Sequence, residues 1–499
     1  MKNVSKALVI MLAITALLTS CKKESSEKKI LEFRFATPAV EAVITESAKT
    51  IVATVPVGTD VTALVPIITI SDKASINPLS GMPQNFTNPV AYTVTAEDGS
   101  QAVYMVTVTF GNGGGGGVDP NDPTTWSGNI DANTTWPDLG LPVDYIVDGY
   151  IYINGNALLT IEPGVTIMFT GIYGGIEVGE NAGLKMVGTA EKPIIFEGPA
   201  NNPNNGSWHN VRINSQRNDN QFEYVQFLRG GSDDGQWDGV IRVANGRLGM
   251  KNCIIDGSLG RGLVTDYDES YLTAFENNTI KNCASYPWTS ENLPALCKNV
   301  GNGNAFISNG YNMIDVTPSG YYLEENLTLH ALGIPYRLRG GFTFDGNKTM
   351  TIEAGVKMLI PYEEGIRVYE SCNFIANGTP EKPIVFTTEE DSWNGMVFES
   401  GRNNNSISYC QFKNCGNNDS WDGRSCLYIR ESAKLSLVNN VFGPSNYNGV
   451  GIEYIENWGN VSHSGNTFVG CAGGNVWIEG GGVYNGVEYE SGQILNDLP

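Results

Sequence analysis

Leu159-Thr160-Ile161-Glu162-Pro163-Gly164-Val165-Thr166-Ile167-Met168-Phe169 decides the fold of most of this chain. Two short apolar strand cores are joined by a Glu-Pro-Gly turn, with no room for a helix between them. The rhythm extends on both sides. Cores start at Ile151, Leu159, Val165 to Ile167, Ile176, Leu184 and Ile194, at gaps of 8 to 10 residues. Every third core returns at a coil-like interval: Ile151 to Ile176 and Leu159 to Leu184 are 25 residues apart, and Ile167 to Ile194 is 27. Three strands per turn of about 25 residues build a parallel β-helix, in which alternate side chains point inward and stack on the next rung.

A longer repeat overlies the short one. Leu159-Thr160-Ile161-Glu162-Pro163-Gly164-Val165 matches Met350-Thr351-Ile352-Glu353-Ala354-Gly355-Val356. Gly188-Thr189-Ala190-Glu191-Lys192-Pro193-Ile194 matches Gly378-Thr379-Pro380-Glu381-Lys382-Pro383-Ile384. Ser207-Trp208 matches Ser392-Trp393, Trp237-Asp238-Gly239 matches Trp421-Asp422-Gly423, and Asn278-Thr279-Ile280 matches Asn466-Thr467-Phe468. Offsets between 184 and 191 mark an internal duplication, with units at about 140–283 and 333–471. Residues 284–328 between them read as further coil or as a loop.

Composition agrees. Of 499 residues, 59 are Gly and about fifty are Asn, while only 17% are charged. Gly, Asn and Asp tolerate the left-handed backbone of tight corners, and Asn also stacks in hydrogen-bonded ladders. With 41% hydrophobic residues, the chain can bury a large core and is not disordered. The net charge of −22 makes the whole chain a poor partner for nucleic acid. Residues 1–30 carry six Lys and two Glu, which leaves 25 basic and 51 acidic residues beyond them, net −26.

The N-terminus reads as an export and anchoring signal. Lys2 and Lys6 precede an apolar run from Ala7 to Leu18, too short to span a bilayer but right for a signal peptide core. Leu18-Thr19-Ser20-Cys21 resembles the lipobox of bacterial lipoproteins. That resemblance implies cleavage after residue 20 and acylation of Cys21, a membrane anchor followed by a polar tether over 21–29. Lys22 after the Cys implies the outer membrane, with the cell-surface side favoured over the periplasmic one.

Residues 30–110 form a first module. Ile51–Val55, Ile67–Ile70, Val90–Thr95 and Val103–Val108 read as strands, the last two joined by a hairpin at Asp98-Gly99. The closing strands resemble Ig-like β-sandwich modules at the N-termini of Bacteroidetes lipoproteins. Gly111 to Gly117 and the Pro-rich stretch after it form a linker over 111–127, and the solenoid takes 128–499. The paired Thr-Ile-Glu-x-Gly-Val and Gly-Thr-x-Glu-Lys-Pro-Ile blocks resemble right-handed parallel β-helix lipoproteins of Bacteroidetes. The fold so implied is all-β and pectate-lyase-like.

The motifs carry little catalytic chemistry. His209, His330 and His463 are too scattered for a metal set. A polygalacturonase-like site would need a Gly-His-Gly and an Arg-x-Lys, and neither occurs. Asp266, Asp268 and Glu269 near Arg261 mimic the carboxylate-and-base grouping of pectate lyases, beside the plainer reading of a solvated turn. The duplicated acidic turns around Asp233, Asp234 and Asp238, and around Asp419 and Asp422, offer oxygen ligands suited to calcium. Trp237 and Trp421 beside them, with Trp208 and Trp393, would stack on a sugar ring; the alternative is that they pack on coil corners. Most cysteines read as small apolar fillers, with Cys410 and Cys426 placed to meet on neighbouring rungs.

The function so expected is non-catalytic binding or adhesion with glycan as ligand. The alternatives are a polysaccharide lyase or glycoside hydrolase working in the helix cleft, or a purely structural surface protein. No cofactor is required, and no oligomeric state follows. Replacing Cys21 by Ser is expected to leave the chain unacylated and to release it from the membrane fraction on cell fractionation. A Cys21→Ser protein that still sediments with the outer membrane would remove the lipid anchor.

Overall fold

The computed structural model describes residues 24–56, 59–111, 123–232, 235, 239–291, 293–317, 321–416, 424–430 and 432–499. Two compact units divide the chain, residues 1–119 and 120–499. Cys21 lies outside the described residues.

In the first unit, Ile30–Ala36 pairs antiparallel with Ala39–Glu41 and Pro66–Ile70. A second sheet orders its strands as 43–45, 50–56, 101–111, 90–95 and 75–77. The expected hairpin is present: Val90–Thr95 pairs antiparallel with Gln101–Gly111, and Gly99 takes the left-handed φ of 80° that its turn requires. Alternation buries Phe33, Phe35 and Tyr92, whose rings meet edge to face at 5.5–5.7 Å. Both sheets contribute to this one core.

The second unit is a right-handed parallel β-helix of about 13 turns. Its first strand, Thr124–Ile130, already pairs in parallel with Tyr145–Ile153, so the solenoid opens a few residues before the expected 128. Three faces follow in each coil. On the first face, Ile176, Val211, Ile241, Leu263, Trp288 and Ile314 lie in register. On the second, Met186, Phe222, Met250 and Phe275 do so. On the third, Ile167, Phe196, Phe227, Ile255, Ile280 and Phe306 do so. All but the last of these residues are at most 1% exposed, and together the rows fill the bore. The second copy repeats the pattern with a phenylalanine stack, in which Phe386, Phe412, Phe442 and Phe468 follow one another at 5.1–5.5 Å. Trp126, Trp136 and Tyr145 plug the N-terminal end, the last two stacked at 4.6 Å.

Asparagines hold the corner between the second and third faces. Asn252, Asn277 and Asn439 adopt φ of 53–56°. Their neighbours form ladders: Asn440 accepts from the Cys410 N–H at 2.9 Å, and its amide donates to Ile407 O at 2.8 Å and to Asn466 Oδ1 at 3.0 Å. Asn278 and Asn304 repeat this in the first copy, accepting from Cys253 N and Asn278 N. A short polar side chain thus satisfies backbone groups that the sheets cannot reach at a bend.

The described residues of 284–328 form coils and not a loop, and they change the architecture. A one-turn helix, Leu293–Cys297, replaces a strand. Between Ala305–Ile307 and Leu327–Leu329 lie two strands, Ile314–Val316 and Tyr321–Tyr322, where other coils place one. Ile314 stacks on Trp288 of the first face, yet its next partners are Tyr336 and then Met358. By the sequence duplication Met358 is the counterpart of Ile167, a third-face residue. The first face of the first copy therefore continues as the third face of the second. The true first-face counterparts, Ile366–Val368, Met396–Phe398, Ser425–Ile429, Asn448–Tyr454 and Gly474–Gly480, form a separate sheet that starts at Tyr321–Tyr322.

Asn440→Ala strands the buried Cys410 N–H and removes two donated bonds. It is expected to cost about 1–3 kcal/mol in chemical unfolding, the penalty of unsatisfied buried groups. An unchanged unfolding midpoint would show that the ladder carries no stability.

Candidate functional site

Trp208 and Trp393 are not placed to stack on a sugar. Both are 0% exposed. Trp208 lies parallel to Phe169 at 4.7 Å, and its indole N–H donates to Leu228 O at 2.9 Å. Trp393 donates to Lys413 O at 2.8 Å. A Cβ on Gly230 would come within 2.6 Å of the Trp208 ring, so the coil closes over it. These indoles are core, each capping a carbonyl that the neighbouring rung leaves over. Trp237, Trp421 and the calcium candidates Asp233, Asp234, Asp238, Asp419 and Asp422 lie outside the described residues. Among the described residues, no three His, Cys, Asp or Glu side chains cluster as metal ligands would.

Cys426 pairs with Cys415 in a disulfide, and not with Cys410. Cys410 is fully buried and donates to Ala376 O at 3.2 Å. Burial pushes the thiols of Cys253 and Cys283 up to about 12, so they are neutral fillers at ordinary pH.

The lyase-like grouping is not assembled as read. Asp266 is 2% exposed and receives Arg242, not Arg261: Arg242 Nη2 and Nε lie 2.6 and 3.2 Å from its Oδ2. Its Oδ1 is buried without a hydrogen bond. Arg261 donates instead to Thr289 Oγ1 at 2.9 Å. Two rungs on, Asp315 is 0% exposed between Arg337 and Arg339, with Arg339 Nε at 2.9 Å. The outward side of the first face is thus a line of paired charges running across rungs. Such pairs fix side-chain positions more than they stabilise.

The chemistry that the structure does bring together is at two open clefts. The first, of about 630 Å³, is lined by Glu180, Arg212, Tyr267, Asp268 and Glu269. The second, of about 560 Å³, is lined by Arg424, Glu453, Tyr454, Trp477 and Glu479. They share one register position and differ in the rest of their lining: the first runs from Tyr267 back over earlier rungs to Arg212 and Glu180, the second from Tyr454 onto the later rung at Trp477 and Glu479. Leu263 pairs with Ile241, and Val450 with Leu427, so three residues further on Asp266 answers to Glu453, and the next to each are Tyr267 and Tyr454. The two tyrosines are 49% and 48% exposed. The carboxylate before each is held by an arginine: Glu453 takes Arg430 Nη1 at 3.2 Å, where Asp266 takes Arg242. Tyr267 takes φ of 67°, a costly conformation for an aromatic residue that packing around it must sustain. In the second cleft the Tyr428 hydroxyl bonds Glu479; burial first, and then that carboxylate, raise its pKa well above the usual tyrosine range. Tyr428 and Trp477 pack together with Val397 on the outside of the sheet.

Sequence reading missed Tyr267, Tyr454 and Trp477. Parity was the available signal for Trp477: Val476 and Ile478 point inward, so the residue between them points out. Of the histidines, His209 Nδ1 lies 2.5 Å from Tyr150 OH, His330 Nε2 lies 3.2 Å from Cys297 O, and His463 Nε2 lies 2.9 Å from Pro499 O. None faces either cleft.

With this geometry in view, the comparisons can be placed. Residues 30–108 match the family model described as SGBP, N-terminal, and residues 128–243 match the pectate-lyase like beta helix domain. Among solved structures, a candidate glycoside hydrolase from Bacteroides thetaiotaomicron is 36% identical over 17% of this chain and 26% of its own, with a TM-score of 0.16. A candidate secreted protein from Bacteroides fragilis is 19% identical over 18% of this chain and 98% of its own, with a TM-score of 0.14. The chain thus spans about a quarter of the hydrolase, and neither superposition bears on the site. The search of curated proteins returned no match.

Trp208→Ala separates core from site. It is expected to lower stability by about 3–5 kcal/mol, as other buried aromatic truncations do. Ligand binding by the fraction that remains folded should be unchanged. Lost binding with intact stability would return the indole to the site.

Proposed function

We propose that this chain is an outer-membrane lipoprotein, displayed at the cell surface, that binds glycan on its β-helix without cleaving it. The observation that carries the reading is the match of residues 30–108 to the N-terminal module of a glycan-binding protein family, joined here to a long solenoid. The clefts support it. Exposed tyrosines offer flat apolar faces to sugar C–H groups, and the flanking carboxylates and arginines offer charge-assisted hydrogen bonds to hydroxyls. The N-terminal unit then serves as a spacer in the manner of an Ig-like module, and the lipid on Cys21 fixes it to the membrane.

Purified protein should retain one or more polysaccharides in an affinity-electrophoresis panel of neutral and acidic polymers. No new reducing ends or unsaturated uronates should form. Arg212→Ala together with Glu453→Ala should weaken retention roughly tenfold or more, about 1.4 kcal/mol. Turnover that disappears in Asp266→Asn would make the protein an enzyme instead. Failure to retain any polymer would leave a purely structural role.

A further inference from the structure

We propose that the protein is bivalent: the clefts at Tyr267 and Tyr454 are separate glycan sites that hold two different chain segments. The proposal rests on the glycan-binding reading above and deepens it.

The first support is the shared tyrosine. Each cleft is lined by a half-exposed tyrosine at the same register position of the duplicated unit, one residue after an arginine-held carboxylate; that carboxylate lines only the second cleft. Their volumes are close, about 630 and 560 Å³. The arginine has nevertheless changed place. Arg242 projects from the position next to Ile241, whereas Arg430 lies three residues past Leu427, the counterpart of Ile241. Asp266 is 2% exposed and does not line its cleft, so the tyrosine is what both clefts keep and what a ligand meets.

The second support is direction. A single long ligand would track one sheet from rung to rung. From the first cleft that sheet leads through Trp288, Ile314 and Tyr336 into the Met358, Phe386, Phe412 and Phe442 row. It does not lead to Tyr454, which stands on the separate sheet begun by Tyr321–Tyr322. Along the coil axis the sites stand seven rungs apart on that row, about 34 Å at the usual strand spacing. A short oligosaccharide filling one cleft therefore does not reach the other. A polymer or a glycan-covered surface can occupy both, with the avidity gain of a tethered second site.

The experiment is calorimetric titration of the full chain with a short oligosaccharide cut from whichever polymer it retains. Two molecules per chain are expected. Tyr267→Ala and Tyr454→Ala should each reduce this to one, the double variant should bind none, and Tyr→Phe should keep both sites. Light scattering of wild-type protein mixed with the intact polymer should show cross-linked particles, and either single Tyr→Ala variant should abolish them. Thermal melts of each variant check that the fold is kept. One molecule per chain, lost in either single variant, would overturn bivalency and leave glycan binding standing as one composite site. Binding unchanged in the double variant would also overturn it, by placing the glycan elsewhere. No binding by any oligosaccharide, with no polymer retained, would remove the glycan reading itself.

Discussion

Every coil of the solenoid must hand its backbone hydrogen bonds to the coil above, and this constraint governs the rest of the molecule. A strand in the stack has no choice of register, because a slip by one residue would turn its apolar side chains outward. The inward rows therefore repeat almost without fault, from Ile167 through Phe306 and again from Met358 through Phe468. Where the chain bends and the ladder fails, Asn278, Asn304, Asn440 and Asn466 supply the missing partners from their side chains. The outward side chains are freed from this duty.

The same constraint explains what happens between the copies. An added strand cannot be absorbed as a bulge, because each face must stay paired above and below. Ile314–Val316 therefore keeps its place in the first-copy stack and passes the following strands one face onward. The displaced face restarts at Tyr321–Tyr322. An insertion of a few residues has changed which sheet carries each site while leaving the bore filled throughout.

Much of this was legible in the sequence. The 25-residue interval, the duplicated turns and the surplus of Gly and Asn all follow from the coil and could be read without coordinates. The face shift could not, because residues 284–328 match neither copy and the extra strand shows only in its pairing. Trp208 stood open between sugar stacking and packing for a related reason. It follows the irregular stretch Gly198–Gly206, so no alternating neighbours reveal that it points inward. Cys415 likewise offered no sign of Cys426 as its partner, since the bridge closes across residues 417–423 and not between rungs of the repeat.

The tyrosines were missed because the eye follows charge. Asp266, Asp268 and Glu269 drew the comparison with a lyase grouping, beside the plainer reading of a solvated turn. Register sets Asp266 against Glu453 instead. Asp266 and Glu453 are the same position and each is paired to an arginine, Asp266 buried and Glu453 on the wall of its cleft. What the duplication has kept on the outside is the residue after each one. An arginine–carboxylate pair followed by an exposed ring is a costly way to finish a strand if the ring has no duty. It is an economical way to hold a flat apolar face still beside hydrogen-bonding groups, and a neutral, hydroxyl-rich ligand needs such a surface.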